Sequence, residues 1–164
     1  MLNSVYPNES VRWDRVIACL NKNGDNIAES SFVMNFSTEN FLMKHEIDSA
    51  FVVLKPYSEE NIGDNRMSVF LLKEKFSTVN NWNNKPIVNS EFYAVSKSVP
   101  STEENKVRID VSNLVKYQSK NYKFNLPLIF DLYNDNLTET TFASFYSTNV
   151  DIDEVKPKLE VYYK

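Results

Sequence analysis

Cysteine and histidine are almost absent from this chain, with one residue of each among 164. The single cysteine, Cys19, excludes an internal disulfide and any zinc site that needs several cysteines. The single histidine, His45, leaves no histidine pair for a metal and no second imidazole for a proton relay. We interpret Cys19 as a small buried hydrophobic side chain and His45 as a solvated or locally hydrogen-bonded imidazole.

Long apolar runs and basic runs are also missing. No segment approaches the roughly 20 apolar residues of a membrane-spanning helix, and the opening MLNSVYPNESVRWD lacks the basic and apolar regions of a secretion signal. The net charge is −4, and no cluster of Lys or Arg offers a footprint for a phosphate backbone. We therefore expect a soluble chain with no export signal in this sequence, no membrane span and no nucleic-acid partner.

Bulky apolar residues, in contrast, are plentiful. Hydrophobic residues make up 42% of the chain and aromatic residues 13%, with 11 Phe and 9 Tyr. A chain of this length can bury about two thirds of the surface that its unfolded form exposes. No linker, repeat or low-complexity tract divides it, so we predict a single domain over residues 1–164.

Apolar and polar residues alternate through most of the sequence, which is the pattern of strands with one buried face. Phe32, Met34 and Phe36 alternate in this way, and so do Leu126, Leu128, Phe130 and Leu132. About nine short strands, separated by turn-like segments, predict an all-β sandwich or barrel. The segments are RVIACL, SSFVMNFS, SAFVVLKPY, MSVFLL, EFYAVS, KVRIDV, NLPLIFDLY, TFASFYS and KLEVYYK.

The turns must form with few glycines, because the chain has only two. The segments between strands are instead rich in Asn and Asp, as in NKNGDN, ENIGDN, NNWNNKP, YNDNLT and TNVDID. Asn and Asp tolerate left-handed backbone conformations and hydrogen-bond their own backbone in Asx-turns. We therefore expect Asx-turns there.

One stretch, VRIDVSNLVKYQ (107–118), changes its period from two to that of a helix. Val111, Leu114, Val115 and Gln118 would share one face of a short helix near residues 111–118. Asp110 stands at the corner, and we interpret it as a structural cap whose carboxylate accepts the N–H of Ser112 or Asn113.

Carboxylates are the main candidates for catalysis, because glycoside hydrolysis needs a pair of them. Adjacent acids occur at Glu59–Glu60, at Glu103–Glu104 and in the segment 151–154. Neighbouring acids on exposed loops are more often solvated charge, and no nucleophile elbow or phosphate loop occurs. We predict that the chain is not an enzyme, with a glycan-active enzyme as a remote alternative.

Among inorganic ligands, calcium is the candidate that the residues favour. Asp135, Asp151 and Asp153 lie in oxygen-rich loops that carry the hard ligands preferred by Ca²⁺, although neither loop matches an EF-hand. Asx-turns and caps account for the same residues without a metal. Bound calcium is therefore a possibility that the residues leave open.

Aromatic rings beside turns are candidates for ligand binding, because rings are platforms for sugars and for partner proteins. We select Trp13, Tyr57, Trp82 and Tyr133 as candidate ligand-binding residues. Core or cross-strand packing is the alternative for each ring. Other rings that flank turns or point away from the core-facing set are Tyr93, Tyr117, Tyr122 and Tyr162.

Five motifs occur in order in the second half of the chain: NWNNKP (81–86), IDVSNLV (109–115), NYKFNL (121–126), Ser147 and PKLEVYY (157–163). In this order they resemble the DNRLRE domain, a β-sandwich module of bacterial and archaeal surface proteins. SFVMNFS (31–37) and IDSAFVVL (47–54) resemble its earlier strands. The sequence departs from the family pattern at Asn81, Lys123 and Asn149, where Thr, Gly and Glu are usual.

The resemblance implies a jelly-roll-like antiparallel sandwich outside the cell, with a carbohydrate-binding role in some relatives and no catalytic residues. One hypothesis is therefore a non-catalytic surface module that binds polysaccharide or another surface ligand. The alternative is a self-assembling subunit of a surface appendage, spore layer or virion, whose partners are copies of itself and whose exposed sheet edge pairs with a neighbour. Both hypotheses place the protein outside the cell or on a cell, spore or virion surface.

Overall fold

A computed structural model describes residues 1–8, 14–23, 25–38, 46–57, 61–74, 76, 80–100, 106–121, 125–133 and 138–164. Within these ranges the chain forms ten strands, one α-helix and one 3-10 turn, Asp153–Val155. The helix, α1, spans Ser112–Lys120. The strands are β1 Leu2–Asn3, β2 Arg15–Asn23, β3 Asn26–Ser37, β4 Ile47–Leu54, β5 Met67–Leu72, β6 Val88–Val95, β7 Val107–Asp110, β8 Asn125–Leu132, β9 Thr141–Tyr146 and β10 Lys158–Tyr163.

The strands form two antiparallel sheets. The larger sheet has the order β6-β5-β8-β3-β2-β9, with β1 added to β3, and the smaller sheet has the order β10-β4-β7. Nine of the ten strands are those that the alternating pattern predicts, and the tenth is the two-residue β1. The predicted all-β sandwich is confirmed.

Both sheets contribute to one hydrophobic core. The ring of Phe32 on β3 stacks on that of Phe130 on β8, with centroids 4.5 Å apart, and Phe145 on β9 meets Phe32 edge-on at 6.1 Å. Val52 on β4 and Ile109 on β7 belong to the same buried cluster. Because apolar and polar side chains alternate along each strand, each sheet has one apolar face, and the apolar faces of the two sheets pack against each other.

The segment that follows β4 covers the outer edge of β9. The N–H of Tyr57 donates to the carbonyl of Ser144 (2.9 Å), and Ile62 and Phe142 exchange two backbone hydrogen bonds of 3.2 and 3.1 Å. The chain leaving the smaller sheet thus closes one edge of the larger sheet. The opposite edge is β6, which pairs with β5 alone among the strands of the described ranges.

The face of the larger sheet that points away from the core carries a second, smaller cluster. Leu2, Leu72 and Ile129 are buried there, and Phe70 and Trp82 pack against them. This outer face is therefore covered at one end by the N-terminal residues and by the segment that contains Trp82.

The corner between β7 and α1 differs by one residue from the sequence-based expectation. Val111, not Asp110, occupies the N-cap position, because its carbonyl accepts the first helical hydrogen bond, from the N–H of Val115 (3.0 Å). The N–H of Val111 still donates to the carbonyl of Ala50 on β4 (2.9 Å). The Asp110 carboxylate reaches past it and accepts the N–H of Ser112 (2.9 Å) and its hydroxyl (2.5 Å). The Ser112 Oγ in turn accepts the N–H of Ala50 (2.9 Å), so the corner is bonded to the smaller sheet.

The predicted helical face is buried. Val111, Leu114, Val115 and Gln118 are all at most 2% exposed. The Gln118 Nε2 donates to the carbonyl of Asn125 at the start of β8 (2.9 Å). No helix in the described ranges is long and apolar enough to span a membrane.

Asn side chains build turns, as the composition predicts. The Asn81 Oδ1 accepts the N–H groups of Asn83 (3.0 Å) and Asn84 (3.2 Å), and the Asn84 Oδ1 accepts the N–H of Asn81 (2.6 Å). These reciprocal bonds form a closed turn around Trp82. The same turn is bonded to the N-terminal segment, because the N–H of Asn83 donates to the carbonyl of Pro7 (3.2 Å).

Candidate ligand-binding site

Strand β3 changes its pairing partner in the middle. Ser30 and Ser31 pair with β1, whereas the next residue, Phe32, pairs with Phe130 on β8. A pocket of about 500 Å³ lies at this change of partner, where β8 turns away toward β5. A volume of this size is typical of small-molecule sites.

The polar wall of the pocket comes from strands β3 and β8. The hydroxyl of Ser31 donates to the Asp131 carboxylate, and the ammonium of Lys85 donates to the Ser31 Oγ (3.3 Å). The Lys85 Nζ lies 3.8 Å from Asp131 Oδ1. Because Lys85 and Asp131 are each about one third exposed, they can also bond a ligand, whereas Ser31 is only 2% exposed.

The aromatic wall comes from the turn around Trp82 and from the end of β8. The Lys85 Nζ lies 3.7 Å from the centroid of the Trp82 ring, which is a close cation–π contact. Trp82 and Tyr133 both line the pocket, together with Phe70. The structure thus brings together two of the four aromatic residues that the sequence singles out.

Tyr133 is held by an ion pair at the rim. Arg66 bonds Asp64 in a bidentate way, with both nitrogen–oxygen distances at 2.8 Å, and its guanidinium carbon lies 5.0 Å from the centre of the Tyr133 ring. The hydrogen bonds from Arg66 lower the pKa of the Asp64 carboxyl below its ordinary value. The carboxylate therefore stays ionised, and keeps the guanidinium in place, over the whole neutral range.

Of the other two predicted aromatic residues, Tyr57 is not part of this pocket. Tyr57 lies beside β9, where its ring is 4.9 Å from that of Tyr146 and the Arg15 guanidinium is 5.5 Å from its centroid. Tyr57 is absent from the pocket lining. Trp13 lies outside the described residues, as do His45, Glu59–Glu60 and Glu103–Glu104.

Two of the three candidate calcium ligands, Asp151 and Asp153, lie in the described chain, and both are exposed. Asp153 is exposed and its Oδ1 accepts a hydrogen bond from Lys156 Nζ (2.6 Å), which lowers the pKa of its carboxyl. Asp151 is exposed two residues earlier, and Asp135 lies outside the described residues. No group of three His, Cys, Asp or Glu side chains in the described ranges is arranged to hold a metal ion.

Sequence reasoning missed Ser31, Phe70, Lys85 and Asp131. Asp131 carries a weak signal, since it is the charged residue in the otherwise apolar strand NLPLIFDL. Its contact with Ser31 joins residues 100 positions apart, and only the register of β3 against β8 brings them together.

No protein-family model matches this sequence, and no curated protein matches it. The fold therefore defines the class alone, an all-β antiparallel sandwich with a polar and aromatic pocket on its larger sheet. Membership of the DNRLRE family stays a prediction.

Proposed function

We propose that this protein is a non-catalytic β-sandwich module that binds a polysaccharide at the pocket formed by Trp82, Tyr133, Lys85 and Asp131. The observation that carries the proposal is that one pocket of about 500 Å³ is lined by two aromatic rings, a cation, a carboxylate and a hydroxyl. Sugars offer apolar ring faces edged by hydroxyl groups, so they need both kinds of partner at once.

The arrangement favours binding over catalysis. The Ser31 hydroxyl is engaged on both sides, since it donates to Asp131 and accepts from Lys85. Ser31 is also nearly inaccessible. Its role in the proposal is to hold the Asp131 carboxylate toward the ligand.

The surface location and the DNRLRE relationship belong to the same proposal. A module of that family would work outside the cell, on a cell surface or as part of a larger surface protein. The order of motifs in the sequence supports the relationship, and the nine predicted strands found in the fold are compatible with it.

Tryptophan fluorescence tests the proposal directly, because the chain has only two tryptophans. In the Trp13→Phe variant all indole emission comes from Trp82. Neutral and acidic glycans should change that emission on titration, since a ligand in the pocket alters the contact between Lys85 and the ring. Lys85→Gln and Asp131→Asn should each weaken binding by about tenfold, because each removes a charged hydrogen-bonding partner.

Tyr162→Ala is the matched control. Tyr162 is an exposed ring on β10 of the smaller sheet, where it contacts Phe51 and Arg108. Its removal should leave the affinity unchanged. Unchanged emission across all glycans, or equal affinity in the Lys85 and Asp131 variants, would contradict the proposal.

Self-assembly is the second candidate, and the open edge of β6 favours it. Ile87, Tyr93 and Val95 are exposed by 58, 56 and 40% along this edge, and β6 pairs on one side only in the described chain. An exposed apolar edge strand is a template for pairing with another chain. Light scattering at rising concentration should then show oligomers, and Val95→Lys should reduce them; a monomer at all concentrations argues against assembly.

A further inference from the structure

A second pocket, of about 480 Å³, lies between the edge strand β6 and helix α1. Its floor is a stacked aromatic pair, Phe92 on β6 and Tyr117 on α1, with ring centroids 4.2 Å apart. Both rings pack against the main hydrophobic core. The pocket is therefore built on a strand and a helix. Its described lining includes Tyr93 and Tyr117, two of the further rings that the sequence singles out.

The charge of this second pocket differs from that of the first. Lys116 and Lys120 lie one helical turn apart on the same side of α1, and Asn113 precedes them on that side. Among the described residues of the lining, Glu91 is the only acidic one. The described lining of the first pocket, by comparison, has one lysine, Lys85, and two acids, Asp131 and Glu29. The described lining of the second pocket thus has an excess of one positive charge and suits an anionic group.

One pair of aromatic rings connects the two pockets. Phe70 on β5 lines the first pocket and Tyr93 on β6 lines the second. They are cross-strand partners, and their ring centroids are 6.0 Å apart. From β8 to β6 there are two inter-strand steps, about 10 Å. A chain-like ligand would cross them on the outer face and then turn around the edge of β6, because Phe92 packs on the core side of this strand.

We infer that the two pockets are subsites of one extended site, and that the ligand is an acidic polysaccharide whose carboxylate or sulfate group is bound by Lys116 and Lys120. The sugar chain runs from Trp82 and Tyr133, over Phe70 and Tyr93, to the edge of the sheet. This inference rests on the proposed function, since it assigns the first subsite to the pocket proposed there.

Calorimetric titration with short and long oligogalacturonate chains, and with neutral cello-oligosaccharides of the same lengths, tests the inference. Long acidic chains should bind about tenfold more tightly than short acidic chains or long neutral ones. Added salt should weaken only the acidic ligands, because charge pairs at the surface are screened. Tyr93→Ala should remove the gain from length.

The double variant Lys116→Gln/Lys120→Gln should remove the preference for acidic chains and keep the binding of neutral ones. Lys106→Gln/Lys158→Gln is the matched control, because it changes the net charge equally at exposed positions of β10 and of the residue before β7. The control should bind both classes as the parent protein does.

The two proposals fail in different ways. Equal affinity for short, long, neutral and acidic chains, with binding still sensitive to Lys85→Gln, overturns the extended site and keeps the first pocket. Acidic chains that respond to the Lys116/Lys120 variant but not to Lys85→Gln overturn the first pocket and the spanning path together. A complete lack of binding overturns both.

Discussion

Lys85 has three contacts that link the two walls of the proposed pocket. Its ammonium lies over the Trp82 ring, donates to Ser31 and faces Asp131. Because Lys85 and Asp131 are partly exposed, their mutual attraction adds little to the stability of the fold. We expect the arrangement to favour ligand binding instead, because the ring, the cation and the carboxylate are already oriented relative to one another before a ligand arrives.

Asp110 allows a prediction about a single side chain that is purely structural. Its Oδ1 accepts both the N–H and the hydroxyl of Ser112, so Asp110→Ala should lower the free energy of unfolding by about 1 kcal/mol. Asp110→Asn keeps an acceptor oxygen and should change stability much less. Urea unfolding measures both variants, and glycan affinity should be unchanged in each. Equal stability of all three proteins would show that the corner does not depend on this carboxylate.

The sequence identifies single residues of the site better than it identifies their neighbours. Trp82 and Tyr133 stand out because rings beside turns are visible in a sequence, but Tyr57 satisfies the same rule and lies elsewhere. The partners Ser31 and Asp131 depend on which strands pair and in which register. A single sequence does not show that register directly. It therefore predicts which types of side chain a site uses, but not which residues come together to form it.

The rim of the site at Tyr133 is formed by the ends of two strands. Tyr133 follows the last residue of β8, Arg66 precedes the first residue of β5, and the two segments are joined by a hydrogen bond from the Tyr133 N–H to the Arg66 carbonyl (2.8 Å). The period of two predicts both strands well, because their middles are buried. It also predicts nine strands of the sandwich and misses β1, whose two residues are too few to show alternation.

The contact among Asp64, Arg66 and Tyr133 at these strand ends predicts a pH dependence of binding. Arg66 lowers the pKa of Asp64, so the ion pair is complete above the ordinary value of about 4 and is lost as the pH falls through the lowered pKa. The affinity for a glycan should therefore be constant from neutral pH down to about pH 5 and should fall below about pH 4.

Asp131 and Glu29 also line the pocket, so a variant is needed to isolate the rim. Asp64→Asn keeps the shape and removes the charge. It should bind less tightly at neutral pH and show a smaller further loss in acid than the parent protein, as measured by Trp82 emission in the Trp13→Phe background. Identical pH profiles for the two proteins would mean that the Arg66 contact does not position Tyr133.

At the scale of the whole molecule, the two edges of the larger sheet differ in whether another segment covers them. The edge at β9 is closed by the segment after β4, through Lys55, Tyr57 and Ile62. The edge at β6 has no second strand partner in the described chain, and both the extended site and the assembly hypothesis use it. The two hypotheses therefore compete for one surface, so a long acidic glycan that occupies β6 should also suppress any oligomer that forms through it.

At Gly63 the segment after β4 approaches β9 closely. Its φ of +73° is in the left-handed region, and a Cβ built there would lie 2.6 Å from Thr141 Oγ1 on β9. Gly63→Ala should lower the free energy of unfolding by about 2 kcal/mol, since the backbone conformation alone costs about 1–2 kcal/mol for a residue with a Cβ. Urea unfolding gives the value, with Thr148→Ala in an exposed turn as a control that should stay within about 0.5 kcal/mol of the parent.

A double-mutant cycle with Thr141→Ala separates the two contributions to the Gly63 effect. If the side chain of Thr141 obstructs the new methyl group, the loss caused by Gly63→Ala should shrink when Thr141 is already Ala, and the remainder is the backbone strain. If Gly63→Ala is harmless in both backgrounds, the segment after β4 does not approach β9 this closely. The backbone hydrogen bonds of Lys55, Tyr57 and Ile62 would then close this edge without close packing at Gly63.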